Sequence, residues 1–182
     1  MAAVTPPTLG TERLRLRPLV GSDAEALNAI QADPDHMRFY PHPFSLEESR
    51  AWIDRMRERY ERDGFALLAV EDLDSGAFLG NVGPLVQTID GSDEVELGWS
   101  ITPERARQGI ATEAARACRD WVFATLEVDH VLSLILPANE PSAGVARKLG
   151  MTVWRETMWG PDPQRHQIYR LDRAAAGTTE LV

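Results

Sequence analysis

The sequence predicts a mixed α/β domain, and three observations carry that prediction. Apolar strand-like segments follow one another from Phe65 to Ile101 with turns at Asp74-Ser75-Gly76 and Asp90-Gly91, the pattern of an antiparallel meander. HVLSLILP, from His130, is a nearly continuous apolar run, as expected of a central strand buried on both faces. Helical patterns flank that run on either side, which is a crossover arrangement joined to the antiparallel half.

The opening MAAVTPPTLG has no basic start and no apolar run of leader length, so residues 1–10 are expected to be a disordered tail before one domain over 11–173. RLRLRPL alternates leucine with arginine, the period of a half-buried strand, and Pro18 closes it. GSDAEALNAIQ offers Ser22 or Asp23 as the N-cap of a short helix. In FSLEESRAWIDRMRERYERDG, Ser45 and Glu48 form a capping box, Trp52, Ile53, Met56 and Tyr60 make an apolar stripe, and Gly64 stops the helix. The meander strands are FALLAVED, AFLGNVGPLVQTI and EVELGWSI, the last ended by Thr102-Pro103. A helix runs from about Gly109 to Leu126, then the His130 strand, then NEPSAGVARKLG as a helix stopped by Gly150. MTVWRETMW and RHQIYRLDR are the last two strands, and residues 174–182 are expected to be a polar tail. The expected architecture is a mostly antiparallel sheet of about six to seven strands with about four helices and no internal repeat.

A chain of 182 residues suits one domain with a single core. Its 43% apolar and 26% charged residues are those of a folded globular protein. The net charge of −9 argues against general nucleic-acid binding, which needs a basic footprint. Nothing approaches the ~18 consecutive apolar residues of a membrane span. The cytoplasm is therefore the expected compartment, with no membrane partner. The single cysteine, Cys118, is expected on the apolar face of its helix, and it permits no intrachain disulfide. His36, His42, His130 and His166 lack ligand spacing and cysteine partners, so no metal site is expected. The nucleotide motifs G-x-x-x-x-G-K-S/T and G-x-G-x-x-G are both missing.

ERARQGIATEAAR, residues 104 to 116, holds the first functional signal. Ala111, Ala114, Ala115, Cys118, Val122 and Leu126 share one face of the helix that follows, with the small residues in its first two turns. A helix start exposes unpaired N–H groups and the positive end of the macrodipole, which suits phosphate. Gly109 removes a side chain there, and Arg105 and Arg107 add positive charge; a capped helix with solvated arginines would read the same way. Two further features favour the site. Gly98 interrupts an otherwise good strand, where glycine marks a bulge or a close approach, and Pro137 ends the neighbouring apolar strand. Two central strands that stop pairing would part and leave a slot faced by two helix starts.

These features resemble the GNAT superfamily of acyl-CoA-dependent N-acetyltransferases, most of all the branch with the Rim-type ribosomal-protein N-terminal acetyltransferases. The resemblance covers roughly Thr11 to Arg173 and rests on TERLRLRPL, EVELGWSITPE, ARQGIATEA and NEPSAGVARKLGM. It departs at Ala106, where the family pattern has a basic or glutamine residue; Arg105 or Arg107 is the expected substitute. The resemblance implies a GNAT-like sheet splayed at the cofactor slot. It implies acetyl-CoA as cosubstrate, with the pantetheine arm along Trp99, Ser100 and Ile101. The pyrophosphate is expected on Arg107, Gln108, Gly109, Ile110, Ala111 and Thr112, with Asn139 and Ser142 as further contacts.

The reaction so implied is direct attack of a primary amine on the thioester, the acceptor being a protein N-terminus or a small-molecule amine. An α-amino group (pKa about 7.7–8.0) offers far more free amine at neutral pH than lysine (about 10.4). Glu96 is the expected base, on the same strand face as Gly98. His166 is the alternative base. The tyrosine acid of many members falls at Ala146 here, and Ser142 is expected to serve the departing sulfur instead. A non-catalytic acyl-CoA-binding module of the same fold is the alternative function. A homodimer is compatible with such folds, although no segment specifies an interface.

Overall fold

The computed structural model describes residues 6–176. Residues 1–5 and 177–182, most of the two expected tails, lie outside the described residues. The strands are β1 (Leu9–Gly10), β2 (Leu14–Pro18), β3 (Leu68–Asp72), β4 (Phe78–Ile89), β5 (Ser92–Ile101), β6 (His130–Ile135), β7 (Thr152–Trp159) and β8 (Gln164–Asp172). The α-helices are α1 (Ala24–Gln31), α2 (Leu46–Asp63), α3 (Ile110–Thr125), α4 (Glu140–Lys148) and the single turn α5 (Arg173–Ala176). The sheet order is β1-β2-β3-β4-β5-β6-β8-β7. Among the described residues, only β5 and β6 run parallel. The eighth strand and fifth helix are the short pieces β1 and α5, which lie where tails were expected to begin or end.

Local chemistry explains the helix limits. Ser45 Oγ accepts from the Glu48 N–H at 3.2 Å, and Glu48 Oε2 accepts from the Ser45 N–H at 2.7 Å, closing the capping box of α2. Gly64 ends that helix at φ 81, a left-handed geometry that glycine adopts without steric cost. The N-cap of α1 differs from expectation: Asp23 occupies the position but makes no side-chain cap. Its carboxylate instead takes two bonds of 2.8 Å from Arg17, because a bidentate charged partner outcompetes a backbone N–H. Cys118 is fully buried, and desolvation pushes its thiol up to about 12, so it serves as a small core residue.

One core fills the layer between β2–β6 and the helices, with Leu14, Leu16, Leu68, Leu97, Val122 and Val131 essentially inaccessible. Pairing of β4 with β5 is continuous from Ile89↔Ser92 to Gly80↔Ile101, so Gly98 makes no bulge. A Cβ at Gly98 would instead meet Leu67 Cδ2 at 3.4 Å, a close approach to the core. Gly80 is the stricter position, since a Cβ there would lie 2.1 Å from the Ser100 carbonyl oxygen. Edge strand β7 leaves Trp154 and Met158 exposed.

Candidate active site

The central strands part almost as soon as they meet. β5 and β6 share a single register pair, Glu96↔Leu132. Two side chains then replace the backbone ladder. Ser133 Oγ donates to the Leu97 carbonyl at 2.7 Å, and the Leu134 N–H donates to Glu96 Oε1 at 3.2 Å. β6 ends at Ile135, and Pro137 lies in the turn before α4. Beyond Leu97 the β6-facing edge of β5 has no strand partner among the described residues, which leaves backbone groups there able to pair with an extended ligand.

A cavity of about 860 Å³ opens at this fork. Its walls are the end of β5, the segment leading into α3, the first turns of α4, and the loop between α1 and α2. That volume lies in the range of small-molecule sites. Trp99, Ser100 and Ile101 line it, as do Arg107, Gly109, Ile110, Ala111, Thr112, Asn139 and Ser142. Gln108 alone of the expected cofactor residues does not line it, and its side chain turns back to the Glu104 carbonyl at 3.3 Å.

The loop before α3 is shaped for an anion. Arg107 and Gly109 are both left-handed, at φ 62 and φ 80, and Gly109 caps α3 with no side-chain bond. Alternation of this kind turns successive N–H groups toward one side, at the positive end of a 16-residue helix. Arg105 is held by Asp72 at 2.7 Å, whereas Arg107 is exposed and makes no ion pair among the described residues. Arg107 is thus the cation free to answer for Ala106. Behind the loop, Arg13 bonds the Gln108 carbonyl at 3.1 Å while its Nε meets Glu113 at 2.7 Å; Thr11 also donates to Glu113 at 2.6 Å. Burial opposes ionisation of Glu113, but the bonds from Thr11 and Arg13 outweigh it and hold the carboxyl below its usual range. This brace was not singled out in the sequence, because about 100 residues separate its halves.

Across the cavity, Asn139 Oδ1 caps α4 by accepting from the Ser142 N–H at 3.3 Å, and Ser142 lines the cavity at the helix start. Glu96 does not line the cavity; besides Leu134 it takes a bond from the Gln87 side chain. Burial raises its pKa. His166 lies outside the cavity lining as well, its ring edge-on to Trp159 at 5.6 Å and its Nδ1 donating to the Gln164 carbonyl at 2.9 Å. In the sequence His36 shows only the lack of metal-ligand spacing. It sits in the cavity wall with Nε2 2.8 Å from Ser100 Oγ. Its position follows from the local turn, where Asp33 accepts from the N–H groups of Asp35 (2.8 Å) and His36 (3.3 Å) and Met37 is buried behind.

Comparison with known proteins agrees with this geometry. The family model described as an acetyltransferase (GNAT) domain matches residues 13–152. The protein YkkB of Bacillus subtilis, itself uncharacterized, is 33% identical over 144 residues, or 79% of this chain and 84% of that one. The crystal structure of an acetyltransferase from Agrobacterium tumefaciens is 31% identical and superposes with a TM-score of 0.76, covering 91% of this chain and 94% of that one. RimL, a ribosomal L7/L12 α-N-protein acetyltransferase solved in complex with coenzyme A, shares the fold at a TM-score of 0.71 and 16% identity, over 93% of this chain and 99% of that one. A model that spans most of the chain, together with these relatives, places this protein in the GNAT acetyltransferase family.

Proposed function

We propose that this acetyltransferase uses acetyl-CoA and transfers the acetyl group to a primary amine, either a protein N-terminal α-amine or the amine of a small molecule. The observation that carries the reading is the parting of β5 and β6 after one residue pair, directly beside the left-handed loop at Gly109. An extended amide-bearing arm with a phosphate end matches these two features in order: an unpartnered strand edge, then a cluster of N–H groups backed by Arg107. Coenzyme A bound to RimL, which has the same fold, supports that choice of cosubstrate.

Trp99, Ser100 and Ile101 would hold the arm through their backbone groups. Residues 107–112 would hold the pyrophosphate, and Asn139 would support both the arm and the start of α4. When bound, acetyl-CoA supplies a thioester carbonyl carbon for the amine nitrogen. Ser142 and the N-terminus of α4 would stabilise negative charge on the departing sulfur, the hydroxyl by donation and the helix by its dipole. Glu96 would hold the vertex of the slot through Leu134. An α-amine is the favoured acceptor, because more of it is unprotonated near pH 7.

Thermal unfolding with and without acetyl-CoA tests the reading. At about 100 times the dissociation constant, binding adds about 2.7 kcal/mol. For a chain of this size that is a rise of roughly 5–10 °C. The same rise with unrelated nucleotides, or none at all, would end the acetyl-CoA proposal. Binding without turnover on any of a panel of α-amino peptides, polyamines and amino sugars would favour the non-catalytic acyl-CoA module.

A further inference from the structure

We propose that Ser100 and His36 form the proton relay that deprotonates the acceptor amine, with Ser100 touching the amine and His36 receiving the proton through it. The inference rests on the acetyl-CoA-dependent reading above and names the group that this reading leaves open. It comes from geometry. Glu96, the base expected from the sequence, does not line the cavity, and its carboxylate is engaged by Leu134 and Gln87. His166 does not line the cavity either. His36 and Ser100 both do, and they touch each other at 2.8 Å.

Ser100 lies on the stretch of β5 that has already left β6, and it follows Gly98 on the same pleat face. Its hydroxyl can therefore accept from a group in the slot while donating to His36 Nε2. His36 comes from the loop between α1 and α2, so the relay joins the strand expected to carry the acyl arm to the loop that forms the opposite cavity wall.

In the step so assigned, the amine nitrogen forms a bond to the thioester carbonyl carbon and the C–S bond breaks, its electron pair leaving on sulfur. One proton passes from nitrogen to Ser100 Oγ as the Ser100 hydroxyl proton passes to His36 Nε2. His36 then gives up that proton through solvent and the thiolate takes one up, giving an amide and a thiol with no net change at the pair.

The charge surroundings leave His36 able to accept. Desolvation lowers its pKa, with Asp33 opposing that effect and Arg38 adding to it. The other charged groups on the cavity wall are Asp35 on the same loop, Arg105 and Arg107 before α3, and Glu140 and Lys148 on α4. The imidazole is accordingly neutral at pH 7.

The experiment compares wild type, His36→Gln, Ser100→Ala, the double variant and Glu96→Gln. Wild-type acetyl-CoA binding and turnover are measured first; if either is missing, the proposed function fails and the relay fails with it. If both are present, each single relay variant should lose about 10²-fold in kcat/KM for the amine, the scale of general-base catalysis, while binding acetyl-CoA as wild type does. The double variant should lose no more than either single, since the two groups act as one unit. The acid limb of the pH profile should vanish in His36→Gln and persist in Glu96→Gln. Independently of turnover, the His36 imidazole followed by NMR should titrate below 6.5 and shift on Ser100→Ala. Should His36→Gln fold poorly, His36→Ala assayed with added imidazole replaces it, and recovery of rate is expected. Multiplicative losses, an acid limb that survives without His36, or loss of that limb in Glu96→Gln would each overturn the relay.

Discussion

Glu96 offers a prediction in which two substitutions at one position should diverge. Its Oε1 accepts from the Leu134 N–H where β6 leaves β5. Glu96→Gln keeps a side-chain oxygen for that bond; Glu96→Ala leaves the N–H without its partner. An unsatisfied, partly buried donor costs about 1–3 kcal/mol, and near the middle of that range the alanine variant should melt roughly 4–8 °C below wild type. The glutamine variant should behave differently with pH. Burial raises the folded-state pKa of Glu96 above its ordinary value of 4.5. The fold therefore favours the protonated form more than the unfolded chain does. Its contribution is complete below the unfolded value and is lost as pH rises through the folded one. Glutamine cannot ionise, so Glu96→Gln should match wild type near pH 4 and equal or exceed it at pH 7. Calorimetry of the three proteins at both pH values checks this. If Glu96→Gln at pH 7 falls as far as Glu96→Ala, the carboxylate charge itself sustains the vertex and the desolvation argument is wrong.

Gly80→Ala would bring a Cβ to 2.1 Å from the Ser100 carbonyl at φ 139; strain and overpacking together should cost about 3 kcal/mol or more, seen as a Tm drop of roughly 6–12 °C. Gly109→Ala must hold a left-handed residue at φ 80, costing about 1 kcal/mol, so Tm should fall by roughly 2–4 °C and acetyl-CoA should bind more weakly in a titration. Ser142→Ala should slow kcat about tenfold, the effect of one lost bond to a charged sulfur, with acetyl-CoA affinity unchanged; an unchanged kcat would remove Ser142 from the chemistry. Burial alone would raise the pKa of Asp23, but its bonds from Arg17 win and depress it. The Arg17–Asp23 contribution is thus present above the ordinary value near 3.8 and lost as pH falls through the folded one, so Arg17→Met should flatten the acid side of the stability curve.

What the sequence determined by itself was carried by neighbours along the chain, although not every local expectation held, as the uncapped start of α1 shows. The Ser45–Glu48 box, the left-handed Gly64, the apolar face around Cys118 and the start of α3 at Gly109 depend on residues three or four apart. The loop that leads into α3 was legible for the same reason, apart from the Gln108 side chain, which turns back to the Glu104 carbonyl. The slot itself was read from Gly98 and Pro137, yet tertiary structure uses other means: Gly98 pairs regularly, and Ser133 and Glu96 end the β5–β6 ladder with their own side chains. The groups joined across the fold were least visible. His36 and Ser100 are 64 residues apart, and Arg13 and Glu113 are 100 apart. Neither pair exists until the α1–α2 loop and β2 are brought against β5 and α3. Those contacts depend on the order of the strands and on where two of them part, which no local spacing encodes.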